Sequence, residues 1–324
     1  MEESIKNINN CETYPKVSII ILNWNTTEIT CQLLNSIKLN LTYPNVEIIL
    51  VDNGSKENPS SNFLSALSSI KIILNPSNYG FSAGCNIGMR AATGDYFFFL
   101  NSDTEITTGV IEKLLEAFEE DVKTGIVSPR IHSYYKKDVI EYAGYSRVHP
   151  LTGRSKVVDA GSKHVIAGKK LSETYFAYGA AMMISRKVYE EVGGLCEDYF
   201  AYYEELDWSN RIREKGYKII CNTEALVYHK GSMSTASNTP FKTFLLTRNR
   251  MLYMKRNFYG VNYFLFMMYF LLIAAPKNLL TYLFSSQFDN FTAYVKALGC
   301  HLRGKSEYMF KNKEDNIVLR RSMI

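Results

Sequence analysis

Three groups of polar residues stand out because each follows, or is walled by, apolar sequence. The first is a series of four short segments, Asn23-Trp24-Asn25, Asp52-Asn53-Gly54-Ser55, Asn78-Tyr79-Gly80 and Asn101-Ser102-Asp103, each placed directly after a short apolar run. One such segment alone reads as an Asx-turn. Four of them along one edge offer more side-chain donors and acceptors than turns require, and suit a polar ligand. Asp103 ends the series as a carboxylate; magnesium and manganese favour few carboxylates and complete their shells with substrate oxygens, so Asp103 suits a cation bridging phosphates. The competing reading is that Asp103 caps a following helix.

The second group is Glu204-Glu205 within Phe200-Ala-Tyr-Tyr-Glu-Glu-Leu-Asp-Trp. Acids in a first helical turn favour the helix dipole, which is the structural reading. Their flank of Phe200, Tyr202, Tyr203 and Trp208 argues for a sugar-sized site with a partly desolvated carboxylate, as a general base needs. Asp207 and Arg211, four apart with the acid first, read as an ion pair on a helix surface. The third feature is His229, at the end of an apolar run. A lone histidine is commonly structural, and gains a metal-binding role only if the fold brings it to Asp103.

The surrounding pattern supplies elements to hold these residues. Val17–Leu22, Val46–Val51, Ile70–Leu74 and Asp95–Leu100 are short apolar runs, with helical patterns over 26–38 and 81–92 between them. This is the alternation of an open α/β sheet, mostly parallel and covered on both faces. Further on, helices are expected over 111–120, 187–192 and 204–215, and strands over 126–128, 178–185, 217–221 and 225–228. Residues 130–174 lack apolar runs and read as one long loop. No Gly-x-Gly-x-x-Gly follows the first strand and no Walker motif occurs, which removes the main support for a dinucleotide dehydrogenase or a P-loop NTPase.

Composition divides the chain. It has 324 residues, 46 % hydrophobic and 21 % charged, enough for a substantial core. The net charge of +5 is unevenly spread: residues 1–230 hold 24 Lys and Arg against 28 Asp and Glu, whereas 231–324 hold 13 against 4. An acidic body argues against a nucleic-acid partner. Six cysteines without a C-x-x-C pair fit a reducing compartment, and the polar first 15 residues carry no secretory h-region, so a cytoplasmic protein is expected. The tail has a helical pattern over 241–258 bearing Lys242, Arg248, Arg250, Lys255 and Arg256, then 20 uncharged residues between Arg256 and Lys277. Cations beside an aromatic, apolar stretch fit a membrane surface, so peripheral contact through 241–285 is expected, against the alternative of a hairpin packed on the body.

With these residues assembled, the chain resembles the family 2 glycosyltransferases, in particular their rhamnosyltransferase-like branch, over about residues 16–232. Val17-Ser-Ile-Ile-Ile-Leu-Asn-Trp-Asn25 is similar to the family's opening strand, Val51-Asp-Asn-Gly-Ser55 to its base-contacting turn, and Asn78-Tyr-Gly-Phe-Ser-Ala-Gly-Cys-Asn86 to its Asn-x-Gly segment near the nucleotide. Gly94-Asp95-Tyr96 through Asp103 resembles the strand leading to the family's Asp-x-Asp motif, with Asn101 in the first acidic position. Tyr203-Glu-Glu-Leu-Asp-Trp208 resembles its Glu-Asp region, and Cys196 stands where an Asp is usual.

The resemblance implies a GT-A fold, a Rossmann-like nucleotide-binding half around a mixed sheet, with residues 1–15 as an extension, 16–232 as the transferase domain and 233–324 as a basic, aromatic-rich helical tail. It implies an inverting transferase that uses a nucleotide-sugar donor of the dTDP-rhamnose or UDP-hexose type and a glycan or lipid-linked acceptor at the inner face of the cytoplasmic membrane. Glu205 is the implied base. Asn23, Trp24, Asn25, Asp52, Asn53, Asn78, Gly80, Asn86 and Asp95 are the implied donor contacts, with Asp52 on the uracil or thymine. Asp103, Asn101 and His229 are the implied holders of Mg2+ or Mn2+. A non-catalytic sugar- or nucleotide-binding module on the same scaffold is the alternative.

Overall fold

The computed structural model describes residues 14–163, 170–231, 239–303, 308–311 and 316–319. Residues 1–13 of the expected N-terminal extension, 164–169 of the expected loop and Ser232 at the expected domain boundary lie outside them.

The first half alternates β1 (Val17–Asn23), α1 (Thr27–Asn40), β2 (Val46–Asp52), α2 (Ser60–Ala66), β3 (Lys71–Leu74), α3 (Phe81–Ala91) and β4 (Tyr96–Asn101). β1 pairs in parallel with both β2 and β4, and β2 with β3. The second half adds β5 (Thr104–Ile106), α4 (Val110–Glu120), β6 (Thr124–Ser133), β7 (Ile140–Tyr142), β8 (Leu171–Thr174), β9 (Ala181–Ser185), α5 (Arg186–Val192), α6 (Glu204–Glu214) and β10 (Lys218–His229). The main path of the sheet runs β3-β2-β1-β4-β9-β6-β10-β5. β9 is antiparallel to β4 and β6, and β5 is antiparallel to β10, so the sheet is mixed.

Strand alternation divides the core into two layers. Ile19, Ile21, Phe98 and Leu100 face one side and pack with Leu33, Leu34 and Ile37 of α1 and Leu114 of α4. Ile20, Phe97 and Phe99 face the other and meet Met89 of α3, Val188 of α5, and Trp208 and Ile212 of α6. Buried on both faces, these strands read as continuous apolar runs and were visible in the sequence for that reason.

Two expectations need correction. Residues 130–174 are not one loop: they carry the end of β6, then β7 and β8, and the bridges Tyr145–Val157 and His149–Arg154. Elements of three or four residues are too short to show a period. The strands expected over 217–221 and 225–228 are one strand, β10, with an irregularity between Asn222 and Leu226.

The tail forms α7 (Pro240–Asn257), α8 (Gly260–Tyr269), a π-helical stretch (Phe270–Ala274), α9 (Ala275–Phe284) and α10 (Phe288–Arg303), followed by the hairpin β11 (Tyr308–Lys311) and β12 (Asn316–Leu319). α8 to α9 make one apolar helix, Gly260–Phe284. Its buried residues Phe266, Phe270 and Ala274 fall four apart and pack with Met251, Tyr253 and Met254 of α7 and Tyr294 of α10. Phe264, Leu265, Met268, Leu272, Ile273, Leu280 and Phe284 are exposed on the rest of its surface.

Candidate functional site

A cavity of about 340 Å³ opens beyond the carboxyl ends of β1 and β4, where open α/β sheets place ligands. Trp24, Asn53, Asn78, Gly80, Asn101, Asp103, Glu205 and His229 all line it, so eight residues singled out in the sequence meet at one place.

The pairing of β5 with β10 explains how Asp103 meets His229. His229 lies opposite Thr104 in an antiparallel register, and its Nε2 sits 3.3 Å from Asp103 Oδ1. The capping reading of Asp103 does not hold, because β5 follows it and the next helix starts at Val110. His229 Nδ1 lies 2.8 Å from Glu141 Oε1 on β7, which also accepts from the Tyr178 hydroxyl at 3.1 Å. Burial alone would lower the His229 pKa, but the hydrogen bonds to Asp103 and Glu141 overcome it and push it up to about 9. At neutral pH the ring therefore carries a proton on each nitrogen; a cation would have to displace the Nε2 proton, while Glu141 on Nδ1 fixes the ring's orientation. Glu141 was not anticipated; the signal was the alternation Ile140-Glu141-Tyr142, in which both apolar residues are buried.

Oxygen from Asp103 and, once its Nε2 proton is displaced, nitrogen from His229 would form a mixed donor set that Mn2+ accommodates better than oxygen-seeking Mg2+, with phosphate and water completing the shell. No group of three His, Cys, Asp or Glu side chains able to hold a metal is found among the described residues, so the protein alone would supply an incomplete shell.

Glu204 and Glu205 open α6 and line the same cavity. Burial, with Glu205 as a charged neighbour, holds the Glu204 carboxyl well above the usual range. Burial also pushes Glu205 up to about 7, although hydrogen bonds from the Glu205 and Tyr203 backbone partly oppose this. Oε2 of each glutamate is covered yet meets no hydrogen-bond donor among the described residues. The segment before them is bent: Phe200, Tyr202 and Tyr203 all have positive φ, at 65°, 71° and 78°. Asp207, expected in a surface pair, is instead 1 % exposed; its carboxylate takes Arg211 Nε at 3.0 Å, the Tyr199 hydroxyl at 3.0 Å and Arg256 Nε at 3.2 Å.

Other anticipated donor contacts lie elsewhere. Asn23 is buried and bound to Asp52, Ser55, Thr26 and Thr30, and Asn25 ties its loop to Ser55 and Lys56. Asp52 receives Asn23 Nδ2 at 2.6 Å and the Ser55 hydroxyl at 2.6 Å, which fixes the turn. These three brace the strand ends without lining the cavity. Asn53 both lines it and holds the next loop through Asn78, Gly80 and Asn75. Asn86 joins α3 to Leu195 and Glu197, away from the cavity. Asp95 precedes β4 and accepts from Lys16 N, so six residues of strand, roughly 20 Å, separate it from Asn101. Sequence proximity to the motif was misleading because a strand carries its two ends to opposite edges of the sheet.

Two solved structures share this fold: GalNAc-T7 with UDP, GalNAc and Mn2+ (TM-score 0.56, 18 % identity, 68 % of this chain and 44 % of that chain), and the mannosyltransferase PcManGT of Pyrobaculum calidifontis with GDP-Man and Mn2+ (TM-score 0.55, 14 % identity, 90 % and 88 %). They establish the GT-A architecture. By sequence the chain is 29 % identical to the low-salt glycan biosynthesis hexosyltransferase Agl10 of Haloferax volcanii, over 73 % of this chain and 74 % of that protein. It is 21 % identical to the O-antigen biosynthesis protein RfbC of Myxococcus xanthus, spanning 70 % of this chain but only 18 % of that one. The profile of glycosyl transferase family 2 matches residues 18–193, more than half of the sequence, and the chain belongs to that family.

Proposed function

We propose that the protein is an inverting transferase that moves a hexose or deoxyhexose from a nucleoside-diphosphate donor to a hydroxyl of a glycan or lipid-linked acceptor in surface-glycan assembly. The observation that carries this reading is the placement, in one cavity, of the Asp103–His229 pair and the Glu205 oxygen that meets no donor among the described residues. Glycan-building relatives and sugar-nucleotide complexes of the same fold support it.

In this reading Glu205 accepts the proton of the acceptor hydroxyl. With a pKa near 7 it is a stronger base than an ordinary carboxylate and is still ionised in useful amount at neutral pH. The acceptor oxygen forms its bond to the anomeric carbon on the face opposite the diphosphate, while the bond to the diphosphate oxygen breaks and its electron pair leaves with the nucleotide. Inversion at that carbon follows. Asp103 and His229, with Asn101 beside them, would hold a divalent cation, which when bound neutralises charge on the diphosphate. Glu141 keeps the His229 ring oriented. Trp24, Asn53, Asn78 and Gly80 would flank the nucleotide from the β1 to β3 side.

The tail would rest on a membrane surface. One face of helix Gly260–Phe284 packs against α7 and α10, which favours a helix lying on the protein over one crossing a bilayer by itself. The exposed face is apolar and contains no acid.

The test is donor binding by thermal shift with UDP-hexoses and dTDP-rhamnose in the presence of Mn2+, followed by transfer with Glu205→Gln. Retained donor binding with transfer reduced at least a hundredfold is expected. Unchanged turnover would remove Glu205 as the base, and the absence of any donor shift would favour the alternative of a glycan-binding module.

A further inference from the structure

The geometry points to Arg248-Asn249-Arg250 of α7 as a positioning clasp that holds the Glu205 loop, and the segment facing it, in the shape transfer requires. This rests on Glu205 being the base.

Asn249 is fully buried, and its Nδ2 faces three main-chain carbonyls of one loop: Tyr199 at 2.9 Å, Ala201 at 2.7 Å and Tyr202 at 2.7 Å. Arg248 Nε donates to Asn249 Oδ1 at 2.9 Å, which turns the amide so that its nitrogen points at the loop. Arg248 Nη2 donates to the carbonyls of Asp198 and Tyr199, both at 2.8 Å. Every carbonyl of residues 198–202 except that of Phe200 is therefore held by two adjacent side chains. Phe200 O is taken by Ser82 N at 3.2 Å, from the start of α3.

This loop needs to be held. Phe200, Tyr202 and Tyr203 occupy left-handed backbone space, which residues with a β-carbon adopt at a cost and keep only where surroundings over-determine it. The loop ends at Tyr203, the residue before α6, and so sets the direction in which Glu204 and Glu205 leave the helix start.

Arg250 completes the clasp on the other side. It is 7 % exposed, and its Nε and Nη2 both donate to the carbonyl of Thr152, in the segment that follows Tyr145 on the cavity wall. Its guanidinium lies 5.0 Å from the Phe270 ring. A buried Arg250 and a half-buried Arg248, satisfied by carbonyls and an aromatic ring with no carboxylate hydrogen-bonded to either among the described residues, make an expensive arrangement for stability alone. It is intelligible if these three consecutive residues fix two segments of the site relative to each other.

The clasp also governs the surroundings of Glu205. The titratable groups facing that carboxylate are Glu204 on its own helix, Tyr203 before it, Tyr145 from the 140–158 segment and Tyr178 before β9. A released loop admits water to this group and lets its proton affinity fall.

The experiment compares native protein, Asn249→Ala and Glu205→Gln. Carboxyl-13C glutamate labelling, with Glu205 assigned by its loss in Glu205→Gln, follows the Glu205 titration directly. Turnover is measured with UDP-hexose and dTDP-rhamnose donors. In Asn249→Ala, kcat is expected to fall at least tenfold with donor KM changed less than threefold, and the Glu205 midpoint to move down by one pH unit or more. Arg248→Lys should recover part of the difference seen with Arg248→Ala, since a lysine still reaches the loop carbonyls. A lowered melting temperature with an unmoved midpoint would show a merely structural role and overturn the inference, as would unchanged kcat. If Asn249→Ala does not fold, Asn249→Ser keeps one donor in a smaller volume and carries the same readouts. An active Glu205→Gln would refute the base assignment instead, and the midpoint measurement separates that outcome from failure of the clasp.

Discussion

A carboxylate kept at a raised pKa must weaken the fold that holds it, and Glu205→Gln measures by how much. The Glu205 carboxyl rises from 4.5 to about 7 on folding because it is enclosed. Below pH 4.5 it is protonated in folded and unfolded chains alike and makes no difference. Between pH 4.5 and 7 the unfolded chain releases the proton while the folded chain keeps it, so stability falls as pH rises; above 7 the full penalty applies. Each tenfold change in proton affinity is worth about 1.4 kcal/mol, so the penalty is roughly 3 kcal/mol. An amide is neutral at every pH and escapes it. Glu205→Gln should therefore melt within a degree of the native protein at pH 4 and about 5 °C higher at pH 8, in parallel with its loss of transfer. Glu204, held protonated beside it, changes the size of the effect and not its sign. Scanning calorimetry at the two pH values is sufficient. A melting difference that is the same at both, or a variant less stable at pH 8, would refute the claim that enclosure raises this group.

Three further outcomes are expected. Gly80→Ala places a β-carbon 2.6 Å from the Phe200 carbonyl at a φ of +90°, so it should lower stability by more than about 2 kcal/mol in urea titration and raise donor KM. Asp207→Ala leaves Arg211 to the Val192 and Gly194 carbonyls and Arg256 to Asp198, and should cost about 2–3 kcal/mol in the same titration; a loss below 1 kcal/mol would show that the buried network is not coupled. Leu265→Glu with Leu272→Glu, both on the exposed face of the apolar helix, should reduce co-sedimentation with anionic vesicles at least fivefold and leave melting unchanged; unaltered sedimentation would remove this face as the membrane contact.

The parts legible in the sequence were those that repeat a pattern. β1, β2 and β4 are covered on both sides and so appear as apolar runs, and the polar residues at their ends, Trp24, Asn53, Asn101 and Asp103, could be placed on one edge from that alone. Glu141 escaped because β7 has only three residues, and its meeting with His229 depends on pairing with β6, a matter of register. Asp95 was misplaced because closeness to a motif along the chain is not closeness in a strand. The arginines of α7 were misjudged for a different reason. Charge counted along a chain has no direction, and the sequence alone puts Arg248, Arg250 and Arg256 with Lys242 and Lys255 as cations for an anionic surface. Arg248 and Arg250 instead serve backbone carbonyls, and Arg256 serves Asp207. The basic tail is thus partly an internal fastening, and any attraction to an anionic surface would fall to fewer outward charges than the sequence total suggests.

The bond from Asn249 to the loop before Glu205 joins residues 47 to 50 apart in the chain, and that from Arg250 to Thr152 joins residues 98 apart. During synthesis the sheet, the Asp103–His229 pair and Glu205 itself emerge from the ribosome before α7 does. Domains form as their sequence emerges, so the nucleotide half can assemble early while the bent loop stays slack. Transfer competence would then wait for α7, and arrive as the segment bearing the apolar helix begins to fold.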